Sequence, residues 1–369
     1  MHKYTIHNVG DRYENSCYNS YLIKDEKTAL IDVVCDNAAD ASIERICSLT
    51  SLKEIDYIVM NHTMPDTTAV IKRILEENPN VKIVATIAAI RNLKEIMNIS
   101  FCEVAARDKE EINLGEALLR LIITPNLEWP DSMMTYLENE KILFSSVAFG
   151  SYSVSMNRTI SGEELYFKNK LSNNIEFVRL AISRIDSLDI DKIYPHIGDV
   201  AEDIDGMFKL YRQRIKDNVC NKNKVAVVYQ SHFGANKALA EAAYDMVKIA
   251  GLEGVLIDVE EMPRAEIQKE IEGSGAVMIG VATINRNAPD GIWNVITGMN
   301  IEAVKNKSFA LFSSYGWSGE GVNNVLALLK AMRIKVEPKP YTVLFTPTAD
   351  DIAEMKKYTK NFIENYRRG

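Results

Sequence analysis

Apolar positions along the chain occur in two textures. Up to about residue 205 they form short runs broken by charged or polar turns. Residues 20–23 and 28–34 are two such runs around a charged turn at 24–27, the pattern of a hairpin. A buried strand is predicted at 55–60, ending at Asn61-His62, then a helix over 69–77 and strands at 82–85, 117–123 and 141–145. Residues 175–188 have helical periodicity. Short strands mixed with helices predict a layered α/β or α+β domain.

From Lys224 the texture changes to a regular strand–helix alternation. Residues 224–229, 254–259, 276–281, 309–313 and 342–345 are continuous apolar runs, with helices over 237–250 and 264–271 and further helices after 320 and 348. Strands without polar alternation are those of a parallel sheet covered on both faces. Such a doubly wound sheet binds its ligand beyond the strands' carboxyl ends. Residues 207–223 read as a helix running into a polar connector, which divides the chain into domains 1–221 and 222–369.

Composition acts mainly by exclusion. With 47% hydrophobic and 25% charged residues, each half can bury a core. A net charge of −8 without a basic stripe speaks against nucleic acid. No apolar stretch approaches the roughly 18 residues of a membrane span, and the first ten residues lack the form of a secretory signal, so the expectation is a cytoplasmic protein with no membrane contact. The five cysteines are scattered, with no C-x-x-C, and read as reduced, buried thiols.

Three segments past predicted strand ends carry the candidate chemistry. The first is Ser231, His232, Phe233, Gly234, Ala235 and Asn236, running straight into a helix. Hydroxyl, glycine and amide groups there let backbone N–H groups close around a terminal phosphate. The other reading is a plain strand-to-helix turn capped by Asn236. The second segment holds Thr283, Ile284, Asn285 and Arg286 after Ala282. The third holds Ser314, Tyr315, Gly316, Trp317, Ser318 and Gly319. Aromatic rings interleaved with glycines supply the apolar faces and N–H donors that a flat tricyclic ring needs. Together the loops indicate FMN.

These residues resemble the flavodoxin-like domain of the flavodiiron proteins, whose loops read S-x-x-G-x-T/N, P-T-x-N and S-Y-G-W-x-G. Ala282 replaces the proline of the second. By that resemblance the first loop holds the phosphate and the other two the isoalloxazine ring. The likeness extends to the N-terminal half. Tyr18 to Ile23 with Ala29 to Asp32 resemble the opening hairpin of a metallo-β-lactamase-like αββα sandwich, and Trp129-Pro130-Asp131-Ser132-Met133 resembles a family landmark. The implied fold is that sandwich followed by a five-stranded flavodoxin-like sheet.

The family's metal motif departs sharply. H-x-E-x-D-H reads His62, Thr63, Met64, Pro65, Asp66, Thr67. Glu128 stands at a histidine position, Val147 at the bridging aspartate, and Ile197 at another histidine, with His196 one residue early. The expectation is a degenerate diiron site with remnants His62, Asp66 and Glu128 and no metal; a single metal on those three is the other reading. A metallo-β-lactamase-type hydrolase is excluded by the same broken motif.

The function expected is FMN electron transfer by an oxidoreductase-type flavoprotein without the diiron centre. Its electron donor is expected to be an external redox protein, and the resemblance implies a head-to-tail homodimer or a dimer of dimers. The alternatives are an oxygen or nitric oxide reductase with an atypical metal site, and a non-catalytic subunit of a larger redox complex.

Overall fold

The computed structural model of the protein describes residues 4–13, 16–152, 161–217 and 220–368. The chain forms two compact units, Met1–Asp217 and Asn218–Gly369. Among the described residues, no helix is long and apolar enough to cross a membrane.

In the first unit the strands are β1 (Thr5–Asn8), β2 (Asp11–Tyr13), β3 (Ser16–Tyr18), β4 (Tyr21–Lys24), β5 (Thr28–Ile31), β6 (Ile55–Val59), β7 (Lys82–Ala85) and β8 (Cys102–Ala105). They continue with β9 (Glu111–Asn113), β10 (Leu118–Ile123), β11 (Met133–Leu137), β12 (Ile142–Ser146) and β13 (Lys192–Pro195). The α-helices are α1 (Ala39–Leu49), α2 (Ala69–Glu77), α3 (Ile87–Met97), α4 (Gly162–Lys170), α5 (Ile175–Ile185) and α6 (Ile204–Asp217). One sheet has the order β1-β4-β5-β6-β7-β8 and the other β13-β12-β11-β10-β9.

The two-residue period of a strand explains how these layers stack. Tyr21, Ile23, Ala29 and Ile31 face the second sheet, where Leu119, Leu121 and Phe144 join the same cluster. Leu22, Leu30, Ile58 and Ile83 face the other way, onto Ile46, Ile74 and Leu93 of α1 to α3. Ile122, Met134 and Leu143 meet Val178, Ile182 and Phe208 of α5 and α6. The result is the αββα sandwich expected from the opening hairpin, with Tyr21 paired to Ile31 and Lys24 to Thr28.

In the second unit the elements are β14 (Asn221–Tyr229), α7 (Ala235–Ile249), β15 (Glu253–Asp258), α8 (Arg264–Gly273), β16 (Ser274–Gly280), α9 (Asp290–Thr297), α10 (Ile301–Val304), β17 (Ser308–Tyr315), α11 (Glu320–Ala331), β18 (Tyr341–Leu344) and α12 (Ala349–Arg368). The strands form one parallel sheet in the order β15-β14-β16-β17-β18. This is the flavodoxin order, whose ligand site lies where the strand order reverses. Ala226, Val228, Ile279 and Leu311 pack beneath α8, α9 and α11. Val225, Val227, Met278 and Phe312 pack beneath α7 and α12. β14 begins at Asn221, earlier than the apolar run, because its first three side chains are exposed while Asn221 still pairs with Ser274. The part of the predicted connector at 218–219 lies outside the described residues.

Candidate functional site

The three segments singled out in the sequence lie at the ends of β14, β16 and β17, neighbours in the sheet; Ser314 and Tyr315 of the third are the last residues of β17 itself. The first enters α7 through Gly234, whose φ of 80° belongs to glycine and which makes no side-chain cap. Asn236 is therefore not the helix cap. Its side chain is buried and turned inward: Nδ2 donates to the carbonyl of Gln230 at 3.3 Å, and Oδ1 accepts from the backbone N–H of Ser314 at 2.6 Å. It ties the first loop to the third. Asn236→Ala leaves the Ser314 N–H without that acceptor, and we expect a loss of about 1–3 kcal/mol in stability. Chemical denaturation monitored by circular dichroism, alongside FMN titration, checks this.

The second loop is a tight reversal. Asn285 and Arg286 have φ of 52° and 60°, and Ile284 and Asn287 exchange backbone hydrogen bonds of 2.8 and 2.9 Å. Positive φ at both central residues makes it a type I′ turn. The N–H of Gly321, at the start of α11, donates to Thr283 Oγ1 at 3.2 Å, locking the second loop against the third. Asn324 adds bonds to the Arg286 carbonyl and Asn287 Oδ1. Ser318 donates to Glu320 at 2.7 Å, which, with the Arg286 charge adding to it, holds that carboxyl below its usual range.

Large apolar side chains stand exposed at these loops: Phe233 is 99% and Trp317 94% exposed. Phe345 sits beside Trp317 with ring centroids 6.4 Å apart, edge to face, and accepts a hydrogen bond on its carbonyl from Ser314. Sequence reasoning missed Phe345, since it follows an edge strand and no motif marks it. Aromatic surface left uncovered at the carboxyl ends of a doubly wound sheet suits a flat ring. His232 Nδ1 lies 3.7 Å from Glu260, which also accepts from Gln230 at 2.9 Å.

In the first unit, the ends of β6, β12 and β13 bring His62, Ser146 and His196 together. His62 Nδ1 lies 2.9 Å from Ser146 Oγ, and the two imidazoles are edge to face with centroids 4.9 Å apart. His196 Nε2 lies 2.9 Å from the Val33 carbonyl. A carbonyl only accepts, so Nε2 carries the proton. Burial, then His196 and Lys170, pushes the His62 pKa well below the usual histidine range, so its ring is neutral. Asp32 is buried nearby and accepts from Asn61 N–H and Nδ2; burial raises its pKa against His196 and those bonds.

The remaining positions do not complete a ligand set around these rings. Asp66 is exposed and takes part through its backbone carbonyl, which accepts from the Asp36 N–H. Glu128 is in an ion pair with Lys170 at 2.7 Å. Val147 and Ile197 are buried apolar residues, and the Thr67 hydroxyl donates to the Met64 carbonyl at 3.1 Å. Among the described residues, no group of three or more His, Cys, Asp or Glu side chains is arranged to hold a metal. Lys170 and Tyr166 were missed because both lie in a charge-rich helix with no marked apolar face.

Residues 17–198 match the family described as ODP family beta lactamase. The chain is similar over 368 residues, at 30% identity, to the flavo-diiron protein FprA2 of Clostridium acetobutylicum, covering 94% of this chain and 91% of that protein. It is 28% identical to a nitric oxide reductase of Moorella thermoacetica, covering 92% and 88%. The solved flavodiiron protein of Giardia intestinalis superposes with a TM-score of 0.61 at 25% identity, covering 98% and 96%. The rubredoxin oxygen:oxidoreductase of Desulfovibrio gigas shares the fold, with a TM-score of 0.64 at 22% identity over 96% and 92%.

Proposed function

We propose, from the premise that this chain belongs to the flavodiiron family of A-type flavoproteins, that it is an FMN-binding electron-transfer flavoprotein whose N-terminal unit no longer holds two irons. The observation that carries this reading is a contrast. The loops suited to a flavin keep the family's pattern except at Ala282 and are joined by hydrogen bonds, whereas Val147 and Ile197 stand at metal positions and cannot ligate.

The second unit fits FMN. The uncapped start of α7 suits a phosphate. In this reading Ser231 to Ala235 hold it, Asn236 keeps their loop in place, and Thr283 to Arg286 with Ser314 to Gly319 seat the ring. When bound, FMN supplies electron transfer in one- or two-electron steps, and the chain supplies position and electrostatics. The boundaries 1–221 and 222–369 assign the flavin wholly to the second domain. An external redox protein donates the electrons, and the chain pairs head to tail as a homodimer or a dimer of dimers, covering aromatic surface such as Trp317.

The first unit does not fit a diiron centre. Each iron needs about four to five protein lone pairs, mostly imidazole and carboxylate. Val147 and Ile197 have none, Asp66 is exposed, and Glu128 is engaged by Lys170. The relative named a nitric oxide reductase keeps the competing reading in view: a reductase with an atypical metal site.

Anaerobic purification with metal analysis, followed by photoreduction, separates the two. We expect flavin absorption and less than about 0.1 metal ion per chain, with no consumption of oxygen or nitric oxide above that of the donor system alone. About two irons per chain with NADH-coupled turnover would overturn the proposal in favour of the reductase.

A further inference from the structure

The pocket around His62 and His196 contains a feature that the loss of metal ligands does not require. Four buried polar atoms have no hydrogen-bond partner among the described residues: His62 Nε2, His196 Nδ1, Glu128 Oε2 and Tyr166 OH. Both imidazoles are fixed through their other nitrogen, His196 by the Val33 carbonyl and His62 by Ser146. That is how a protein orients a histidine that binds a metal. His196 therefore presents a lone pair on Nδ1, and His62 does so on Nε2 in the tautomer whose Nδ1–H donates to Ser146.

The same pocket holds a cation. The segment around His62 is stitched to the loop carrying Glu128 by the Thr63–Asp131 hydrogen bond and by Met133 N–H donating to the Asn61 carbonyl at 2.7 Å. Helix α4 presents Tyr166 and Lys170 one turn apart on one face. The Tyr166 ring packs on Gly150, which also abuts the Ile197 carbonyl. Lys170 Nζ reaches the other carboxylate oxygen, Glu128 Oε1, at 2.7 Å. Its charge also contributes to depressing the His62 pKa, after burial and His196.

We infer that Lys170 is the resident cation of this pocket: its ammonium holds Glu128 away from the two imidazoles and keeps divalent metal ions out. Like charges in a poorly solvated site repel strongly, so an ammonium and a dication do not share it. The ion pair also engages Glu128, a carboxylate that could otherwise complete a three-ligand set with His62 and His196. Removing the ammonium frees Glu128 and leaves two oriented imidazoles and a carboxylate, enough for one tetrahedral ion with solvent in the fourth position. This inference rests on the proposed metal-free reading of the first unit.

The test is anaerobic titration of the FMN-loaded full chain with Co(II), read by its visible ligand-field bands. Wild type is expected to show no tetrahedral Co(II). Lys170→Met is expected to take up about one Co(II) per chain, at least about tenfold tighter than wild type, and to lose it when His62→Ala is added. Lys170→Arg keeps the charge and is expected to behave as wild type. Lys170→Gln, which retains a hydrogen-bond donor for Glu128, replaces the methionine variant if that one does not fold. Folded, flavin-loaded Lys170→Met or Lys170→Gln that binds no Co(II) would overturn the inference, as would His62-dependent uptake by wild type. Iron in the protein as purified would instead overturn the metal-free reading itself, so the two failures are distinct.

Discussion

Val147→Asp, which restores the family's bridging carboxylate, is expected to destabilise the first unit by about 3–5 kcal/mol at neutral pH. Val147 is fully buried in the cluster formed with Phe149, Phe167 and Tyr211. Lys170 is already paired with Glu128. A new carboxyl there either ionises without a partner or takes up a proton at the expense of its solvation. Either way its pKa is raised relative to the unfolded chain. The folded state then binds the proton more tightly, so the deficit relative to wild type shrinks as pH falls towards the ordinary carboxylate range and is largest above it. Urea denaturation at several pH values measures this, and Val147→Asn separates the charge from the loss of packing. If Val147→Asp is as stable as wild type, or is restored by added Fe(II), the pocket still accommodates a dication and the metal-free reading fails.

Legibility differed between the units for a physical reason. In the second unit, burial on both faces of a parallel sheet makes the three central strands continuous apolar runs, and the ligand loops follow those runs directly in sequence. Strand positions and loop positions were therefore read together. In the first unit β11, Met133–Leu137, is buried at every position yet includes Thr135 and Tyr136, whose hydroxyls are satisfied by Asn61 and Asp189. Such pairings span the fold and leave no local period. Helices α1 and α3 were also not predicted, although Ile46 and Leu93 anchor them in the core. The metal positions were legible only as departures from a pattern. The resemblance to the family's motif placed Asp66 beside His62, but the turn after β6 carries it to the surface. Lys170 gave no signal, because a lysine in a charged helix usually marks a solvated face; only Glu128, distant in sequence, gives it a role.

The flavin site makes an equally sharp demand on one glycine. Gly321 lies at the start of α11, where the second and third loops meet. A side chain there would bring its Cβ to 2.7 Å from the Ala282 carbonyl, 2.9 Å from Thr283 Oγ1 and 3.1 Å from the Asn287 carbonyl. Two of these are backbone oxygens, which cannot swing aside as a flexible side chain would. The second loop must therefore move, breaking the Gly321–Thr283 bond and displacing the turn at Asn285 and Arg286. Gly321→Val is expected to weaken FMN binding by about 100-fold, close to 2.7 kcal/mol, with Gly321→Ala falling between it and wild type. The sheet should survive, because Val322 and Val325 still anchor α11 in the core. FMN fluorescence titration gives the affinity, and far-ultraviolet circular dichroism shows whether the fold is kept. The graded series is informative because it alters the spacing between two loops and removes no functional group. Wild-type FMN affinity in folded Gly321→Val would mean that these loops do not seat the flavin together. A loss that grows from alanine to valine ties binding to their juxtaposition, which the chain builds from residues 38 positions apart.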